Sequence, residues 1–358
     1  SPHKRKLGPD PASESACTIG GVVANNSSGM ACGTEFNTYR TLESAVLVLP
    51  SGSIIDTGAK DADAALRQLE PELHSGLLSL RDRVRGNHHS VQTIRRLFSI
   101  KNTMGYGVHS FIDHDSAAEI LAHLAISSEG TLAYAAEATF RTIPVKAHSA
   151  TGLLVFNDLR DAVQSLPELV AAGLATIELL DAPSLKVAQR DREADATLRG
   201  MRVDTQAALL VEYQEALPEA LEQRIAESGR LFSGLPLQAP ARLTEDARAR
   251  AALWHIRKGL YAAIAGNRPV GTSALLEDIA VPMTSLLDTC EHLTELFVRH
   301  GYEDNVIFGH AKDGNLHFML TERFDEAAKL DRYSAFTEDM VQLVLGGGGT
   351  LKAEHGTG

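Results

Sequence analysis

The segment from about residue 146 to 320 alternates short apolar runs with amphipathic stretches, and this alternation limits the folds open to the chain. The runs at 152–156, 175–180 and 207–213 have the length and composition of strands. Between the first two, residues 158–172 place apolar side chains on one helical face. The pattern predicts an α+β architecture with helices on one face of a mostly antiparallel sheet.

Before residue 146 the chain has a different texture. Residues 1–16 are polar, contain three prolines and show no periodicity, so we expect a linker there. Residues 45–55 hold two apolar runs around a Pro-Ser-Gly turn, which predicts a β-hairpin. Leucines at helical spacing in residues 61–99, and a capped apolar stripe in residues 116–127, predict helices.

Composition excludes several classes of protein. The net charge of −12 gives an acidic surface, which argues against a general nucleic-acid binder. Apolar residues make up 44% of the chain, yet no apolar run reaches the roughly 20 residues of a membrane-spanning helix. The three cysteines form no Cys-x-x-Cys pair, so we expect neither a disulfide framework nor a cysteine zinc site. A reducing, cytoplasmic setting is therefore predicted.

The strongest chemical signal is the sequence from Gly309 to His317, which contains two histidines around an Asp-Gly pair. Asp-Gly is a preferred centre of a two-residue hairpin turn. A turn centred on Asp313 and Gly314 would set His310 directly opposite His317, on one face of the sheet. Two imidazoles in that arrangement can bind one divalent metal ion. The alternative is a surface hairpin that carries two unrelated histidines.

A second polar cluster lies near residue 358. Glycines at 346–349 precede Glu354 and His355, and another glycine follows, so the backbone there can approach a ligand closely. Glu354 could complete a His-His-Glu metal site, and His355 could act as a general base. A flexible glycine-rich tail with a solvated Glu-His pair explains the same residues equally well.

Two weaker patterns also bear on ligand binding. Small residues and glycines at 19–29 and 128–132 offer backbone amides that suit a phosphate group or a flat ring, although ordinary tight turns explain each motif alone. Arg257, in a helix-like stretch after Trp254, could hold a substrate carboxylate with two parallel hydrogen bonds. A solvated helix face is the alternative for Arg257.

Taken in chain order, these motifs resemble those of FAD-linked dehydrogenases of the vanillyl-alcohol-oxidase (PCMH-type) superfamily. The most similar branch acts on D-2-hydroxy acids such as D-lactate, D-2-hydroxyglutarate or glycolate. The resemblance runs from about residue 8 to residue 358, and its specific elements are the paired histidines and the Glu-His-Gly sequence. The motifs that carry it are Thr18-Ile-Gly-Gly with Ala24-Asn-Asn-Ser-Ser-Gly29, Ser128-Glu-Gly-Thr-Leu132, Glu277-Asp-Ile-Ala-Val-Pro282, Gly309-His with Asp313-Gly-Asn-Leu-His317, and Gly349-Thr-Leu with Glu354-His-Gly356.

The resemblance implies a partial PCMH-type FAD-binding domain followed by a ferredoxin-like antiparallel-sheet substrate domain. In that interpretation residues 1–16 are a linker and 17–145 the second lobe of the FAD-binding domain. Residues 146–345 are the substrate, or cap, domain, and 346–358 return toward the FAD-binding domain. The first FAD lobe would precede residue 1. Long bacterial members also carry a cysteine-rich domain with a 4Fe-4S cluster, which would follow residue 358.

The resemblance also implies roles for individual residues. A divalent metal of the zinc, manganese or iron class would be held by His310, His317 and Glu354. His355 would be the base beside the flavin. The residues expected along the FAD are Ile19, Gly20, Gly21, Ser28, Gly29, Glu129, Gly130 and Thr131.

Substrate contacts follow from the same resemblance. It makes Asn315 a substrate contact and Arg257 the clamp for the substrate's carboxylate. Lys312 stands where many members have glycine. With Arg257 it would give the pocket a second cation, so we favour D-2-hydroxyglutarate over D-lactate or glycolate. Residues 30–33 read Met-Ala-Cys-Gly, where related members have Arg-Tyr-Gly.

The sequence thus predicts an FAD-dependent oxidoreductase that oxidises the CH–OH group of a D-2-hydroxy acid to a 2-oxo acid, with hydride transfer to the flavin. We expect a small-molecule substrate, an electron acceptor that the sequence does not name and a homo-oligomer, with no nucleic-acid partner and no transmembrane segment. Two alternatives stay open. One is a metal-dependent hydrolase that uses the His-His-Glu site, and the other is a non-catalytic binding module with structural histidines.

Overall fold

The computed structural model describes residues 3–190 and 196–356, and the chain divides into two compact units. The first unit comprises Ser1–Pro144 together with Lys352–Gly358, and the second comprises Val145–Leu351. Each unit has a hydrophobic core of its own. In the described part of the chain, no helix is both long and apolar enough to cross a membrane.

The first unit packs helices against a small sheet. Its strands are β1 (Arg5–Lys6), β2 (Leu42–Val48), β3 (Ile54–Asp56), β4 (Tyr134–Phe140) and β5 (Ile143–Pro144), and its helices are α1 (Ile19–Asn25), α2 (Thr38–Thr41), α3 (Ala62–Leu69), α4 (Pro71–Arg85), α5 (His88–Leu97), α6 (Ser110–Asp113) and α7 (Ala117–Ala125). β3, β2 and β4 form an antiparallel sheet in that order. The pairing of Leu47 with Ile55 confirms the predicted hairpin. A capping box of Ser116 and Glu119 begins α7, as the sequence predicts.

The segment predicted as a linker makes specific contacts within this unit. β1 pairs with β5, and both carboxylate oxygens of Asp10 accept hydrogen bonds from backbone amides, those of Ala31 at 3.0 Å and Cys32 at 3.1 Å. These contacts fix the course of the chain over residues 5–10.

The glycine-rich segment near residue 20 differs from the tight turn that its composition suggests. Gly20 and Gly21 lie in the first turn of α1, and the Thr18 hydroxyl accepts a hydrogen bond from the Gly21 amide as the helix cap. Glycine has a low helix propensity, but tertiary packing overrides it because Val22 and Val23 are buried. The helix is therefore fixed by its buried face.

The second unit is built on one six-stranded sheet in which every pair of neighbours is antiparallel. Its strand order is β6-β8-β7-β10-β11-β9, with β6 (His148–Phe156), β7 (Thr176–Leu180), β8 (Ala207–Glu215), β9 (Ser273–Ala280), β10 (Asn305–His310) and β11 (Asn315–Glu322). The helices are α8 (Leu159–Gln164), α9 (Leu166–Ala171), α10 (Ala182–Gln189), α11 (Ala196–Gly200), α12 (Pro218–Gly234), α13 (Ala247–Asn267), α14 (Leu286–Arg299) and α15 (Ala327–Gly346).

Helices cover both faces of this sheet, so the prediction of helices on one face was wrong. α8, α9, α12, α14 and α15 contribute to one core cluster, whereas α10, α11 and α13 contribute to another. The reason lies in the central strands, which are apolar on both sides. In β7, Leu179 belongs to the first cluster and Leu180 to the second, and both are fully buried.

The helix predicted over residues 158–172 is two helices, α8 and α9, which meet at Ser165. Pro167 lies in the first turn of α9, where a missing N–H loses no intrahelical hydrogen bond. A continuous helix through this proline would lose one, so the chain starts a new helix. α15 (Ala327–Gly346) has no counterpart among the elements predicted from the sequence.

Candidate active site

The two histidines of the strongest motif lie on neighbouring strands, but their predicted pairing was wrong. His317 of β11 pairs with Phe308 of β10, two residues earlier than His310. The connection is not a two-residue Asp-Gly turn. Residues 311–313 form a single 3-10 turn, and Gly314 follows with φ +65°. The connection 311–314 is centred one residue earlier than the predicted turn, and this shifts the register by two residues.

A shift of two residues keeps both side chains on the same face of the sheet, because side chains alternate with a period of two. The ring centroids of His310 and His317 are 5.2 Å apart, and the rings are nearly perpendicular. A ring nitrogen of each lies within 4.8 Å of one on the other. The pair can therefore share one metal ion, even though the two residues are diagonal neighbours.

A buried carboxylate that the sequence analysis missed holds the first of these histidines. Glu178 of β7 is fully buried, and its Oε1 lies 2.7 Å from Nδ1 of His310. Its Oε2 accepts a hydrogen bond of 2.7 Å from Nε of Arg257. Burial alone raises the pKa of a carboxyl group, but the charges of His310 and Arg257 lower the pKa of Glu178 to about 2. Glu178 is thus a carboxylate.

Asp278 of β9 lies beside the second histidine, at an ion-pair distance that is longer than the hydrogen bond between Glu178 and His310. It is fully buried, and its Oδ1 lies 3.3 Å from Nδ1 of His317. The amide of Asn315 donates to Asp278 Oδ1 at 2.7 Å and to the Ile279 carbonyl at 2.9 Å, which fixes the orientation of the amide. Asn315 Oδ1 is buried and has no hydrogen-bond partner among the described residues. It is an acceptor that a ligand can use.

Arg257 lies on α13 and is not on a solvated face, so that alternative was wrong. Its side chain is only 11% exposed and is ion-paired with Glu178. Its guanidinium carbon also lies 4.8 Å from the ring centroid of Phe308. The hydrogen bond to Glu178 uses Nε, and within the described residues Nη1 and Nη2 have no acceptor. That edge of the guanidinium remains for a carboxylate.

Lys312 lies in the 3-10 turn between the two histidines. Its Nζ is 3.5 Å from Oδ1 of Asp313, and the side chains are 22% and 11% exposed. Asp313 therefore offsets part of the charge that the sequence analysis assigned to this turn.

The chemistry of these donors fits a divalent metal ion. A histidine that ligates a metal commonly directs its other ring nitrogen to a carboxylate, which fixes the ring and raises the basicity of the ligating nitrogen. Nδ1 of His310 lies 2.7 Å from Glu178, and Nδ1 of His317 lies 3.3 Å from Asp278, so Nε2 would be the ligand atom of each histidine. Zinc and the neighbouring first-row metals accept such nitrogen donors.

Glu354 and His355 belong to the first unit, so the sequence-predicted set of site residues is divided between the units. Within its own unit, Oε1 of Glu354 lies 2.5 Å from Nζ of Lys101 and accepts a hydrogen bond of 2.8 Å from Ser28. The carbonyl of His355 accepts a hydrogen bond of 2.7 Å from Thr103. The segment is thus held in place rather than being a free tail.

The residues predicted along the FAD also belong to the first unit. Ile19, Gly20 and Gly21 form the exposed start of α1, and a turn with Glu129 at φ +51° and Gly130 at φ +75° lies beside that helix. The amide of Glu129 donates to the Ala24 carbonyl at 2.9 Å.

The surroundings of these predicted FAD residues differ from one residue to the next. A Cβ added at Gly130 would meet nothing within 4 Å among the described residues, so the backbone of this turn is open to a ligand. Thr131 stabilises the turn by donating to the Ser128 carbonyl at 2.6 Å. Ser28 and Gly29, in contrast to Gly130, have close protein neighbours. The Ser28 hydroxyl donates to Glu354, and Gly29 packs against the backbone of Asp10.

Glu178, Lys101 and Asp278 were not predicted from the sequence as functional residues. Glu178 and Lys101 are single charged residues in otherwise ordinary segments, and their partners are far away in the sequence. Asp278 lies within the motif 277–282, but its role was not assigned. A charged residue inside an apolar strand, as Glu178 is, was the available clue, since such residues are rarely buried without a partner.

Comparison with protein families accounts for most of the chain. A model described as "FAD linked oxidases, C-terminal domain" matches residues 145–358. A second model, described as "FAD binding domain", matches residues 1–58.

Curated relatives at low identity carry related names. Glycolate oxidase subunit GlcD of Bacillus subtilis is 26% identical over 357 residues, which cover 98% of this chain and 62% of the relative. D-lactate dehydrogenase of Archaeoglobus fulgidus is 25% identical, and the match covers 99% of this chain and 64% of the relative. D-2-hydroxyglutarate dehydrogenase of Haemophilus influenzae is 21% identical and covers 100% and 36%. The chain spans less than two thirds of the length of these relatives.

Solved structures confirm the predicted PCMH-type α+β fold. Alkyldihydroxyacetonephosphate synthase has a TM-score of 0.61 at 14% identity and covers 98% of this chain and 56% of its own. 4-Ethylphenol oxidase from Gulosibacter chungangensis has a TM-score of 0.58 at 11% identity and covers 99% and 64%. These likenesses concern the fold alone. Because the C-terminal-domain model matches more than half of its length, the chain belongs to the family of FAD-linked oxidases.

Proposed function

We propose that this chain is part of an FAD-dependent dehydrogenase that oxidises a D-2-hydroxy acid to the 2-oxo acid with the help of a divalent metal ion. One observation carries the proposal. His310 and His317 lie together on one sheet face and each has a buried carboxylate beside it, Glu178 hydrogen-bonded to His310 and Asp278 at 3.3 Å from His317; Arg257 is ion-paired to Glu178. The names of the relatives, which include glycolate oxidase, D-lactate and D-2-hydroxyglutarate dehydrogenases, agree with this substrate class.

Each residue has a defined task in this proposal. Nε2 of His310 and of His317 bind the metal ion, and Glu354 is the proposed third ligand. Arg257 binds the substrate's carboxylate through Nη1 and Nη2, in the parallel geometry that guanidinium groups favour. Asn315 offers Oδ1 to a donor on the substrate.

Proton transfer is assigned to His355, whose ring nitrogen accepts the hydroxyl proton of the substrate. When bound, FAD supplies the hydride acceptor and the metal ion supplies Lewis acidity at the substrate's hydroxyl oxygen. Loss of the hydroxyl proton and of the Cα hydride removes two protons and two electrons from the substrate, which gives the 2-oxo acid. The substrate is D-2-hydroxyglutarate in the finer form of the proposal, on the strength of Lys312.

The test is anaerobic reduction of the flavin in the full-length protein. We expect D-2-hydroxy acids to bleach the flavin absorbance of the wild type. His310→Ala and His317→Ala should each lose the metal and the bleaching together, because a site without one ligand binds metal poorly. His292→Ala, in an exposed histidine of α14, is the matched control and should retain both.

Two results would contradict the proposal. Full metal occupancy in both histidine variants would remove the metal assignment. A colourless protein that hydrolyses activated esters would instead support the metal-dependent hydrolase.

A further inference from the structure

We infer that Glu178 links metal binding to carboxylate binding, because its single charge is shared between the metal ligand His310 and the carboxylate clamp Arg257. This inference rests on the proposed function, since it assigns a new positioning residue to that same site. It concerns a residue that makes no contact with substrate and acts only through its two partners.

The geometry commits both oxygens of Glu178. Oε1 lies 2.7 Å from Nδ1 of His310, and Oε2 lies 2.7 Å from Nε of Arg257. The two partners come from different elements, β10 and α13, and the Glu178 side chain is fully buried between them. Because Glu178 is fully buried, water cannot replace its contact with His310 or with Arg257. A change at one of these partners therefore alters the interaction of Glu178 with the other.

The shared charge sets the properties of both partners. A carboxylate on Nδ1 makes Nε2 of His310 a better electron-pair donor, and such outer partners typically change metal affinity by about 10–100-fold. The same carboxylate attracts Arg257, which therefore competes with His310 for one negative charge. Removal of Arg257 should leave the whole charge to His310 and strengthen metal binding.

The chain provides a matched control in the adjacent strand. Glu212 of β8 is also buried, and it also anchors α13, through Trp254 Nε1 at 2.7 Å and Arg250 Nη2 at 3.2 Å. Its other partners are Thr151 and Gln214. Glu212→Gln should therefore disturb the attachment of α13 as Glu178→Gln does, without touching a histidine.

The experiment measures Zn²⁺ affinity by competition with a chelator in the full-length protein. We expect Glu178→Gln to weaken Zn²⁺ binding by about 10–100-fold. Glu212→Gln should leave Zn²⁺ binding within about twofold of wild type. Arg257→Leu should tighten it by about three- to tenfold, and this gain should vanish in the double variant Glu178→Gln/Arg257→Leu.

The outcomes separate this inference from the proposed function. A wild type that binds no Zn²⁺ contradicts the metal site and the inference together. A wild type that binds Zn²⁺ as tightly as Glu178→Gln contradicts the inference alone. A gain from Arg257→Leu that persists in the double variant is a direct charge effect on the metal, and it too would overturn the link through Glu178. If Glu178→Gln does not fold, the decision falls to Arg257→Leu against Arg257→Lys, where equal Zn²⁺ affinities overturn the inference.

Discussion

Lys101 and Glu354 form a largely buried ion pair within the first unit, with Nζ 2.5 Å from Oε1 and side chains that are 2% and 13% exposed. The same ammonium group donates to the Gly29 carbonyl at 2.8 Å, and Ser28 donates to the same carboxylate oxygen. Removing one member of such a pair leaves a buried charge without its partner, which is far costlier than losing an exposed pair.

We therefore expect Lys101→Met to lower the free energy of unfolding by about 3–5 kcal/mol. Urea denaturation of the full-length protein measures this change. Arg202→Met is the matched control, because its ion pair with Asp204 is exposed and should contribute nothing measurable. The double variant Lys101→Met/Glu354→Gln should recover part of the loss. A Lys101→Met protein as stable as the wild type would show that the pair does not hold this segment.

A second prediction concerns pH. His109 stacks on the ring of Phe98 and lies against the tilted ring of Tyr39, with each centroid 3.8 Å away. Burial, helped by the charge of Arg40, lowers the pKa of His109 to about 3. An unfolded histidine has a pKa of about 6.5, so the unfolded state binds more protons at acidic pH. The contribution of neutral His109 to the free energy of unfolding is therefore fully present above about pH 6.5, and it is lost as the pH falls toward 3.

His109→Phe should remove this source of acid sensitivity and keep the stacking. Between pH 7 and pH 4.5 the wild type should lose about 2–3 kcal/mol more stability than the variant does. Urea unfolding at the two pH values gives the comparison. His88→Phe, at an exposed position of α5, should behave as the wild type does. Parallel losses in wild type and His109→Phe would mean that His109 is not the group responsible.

The histidine pair shows what sequence reasoning could and could not supply. The Asp-Gly signal correctly indicated two adjacent antiparallel strands, but it placed His310 opposite His317, whereas Phe308 occupies that position. The prediction that both histidines lie on one face of the sheet was nevertheless correct, because a register shift of two residues leaves the face of a side chain unchanged. The Asp-Gly pair does not report the tertiary contact of this turn, in which the Val281 amide donates to the Gly314 carbonyl at 2.9 Å and the Val281 carbonyl leaves no room for a Cβ at Gly314.

The residues that were missed depend on tertiary structure in the same way. Glu178 is 79 residues from Arg257 and 132 from His310, and Lys101 is 253 residues from Glu354. No local pattern reports a contact at such separations. A buried charge is recognisable only when the fold brings its partner to it. The sequence motifs therefore identify the residues that the family resemblance assigns to the site. The carboxylates of Glu178 and Asp278, which lie behind the two histidines, are recognised only from the tertiary structure.

The proposed base gives a third prediction. His355→Asn in the full-length protein should keep FAD and metal yet reduce kcat by about 10²–10⁴-fold, because proton transfer to a positioned base contributes on that scale. Absorbance, metal content and turnover are measured on one sample. His292→Asn should leave all three unchanged, since that residue is exposed. Loss of metal from His355→Asn would make His355 a ligand and would require a different base.

The last prediction concerns the choice of substrate. Lys312 and Arg257 are the two cations of the second unit that the proposal assigns to substrate binding. One cation is enough for the carboxylate of D-lactate, whereas D-2-hydroxyglutarate carries a second, distal carboxylate. Asp313 lies 3.5 Å from Lys312 and offsets part of its charge, so the distal carboxylate must compete with Asp313 for the ammonium group.

Lys312→Ala should therefore lower kcat/KM more for D-2-hydroxyglutarate than for D-lactate, by about 1–3 kcal/mol, the value of one charged hydrogen bond. Steady-state kinetics with both substrates on wild type and variant provide the measurement. Lys258→Ala is the matched control, because this exposed lysine stands next to Arg257 and should affect both substrates alike. Equal losses from Lys312→Ala with the two substrates would show that Lys312 does not bind the distal carboxylate, and the preference for a dicarboxylate would then have no support in this site.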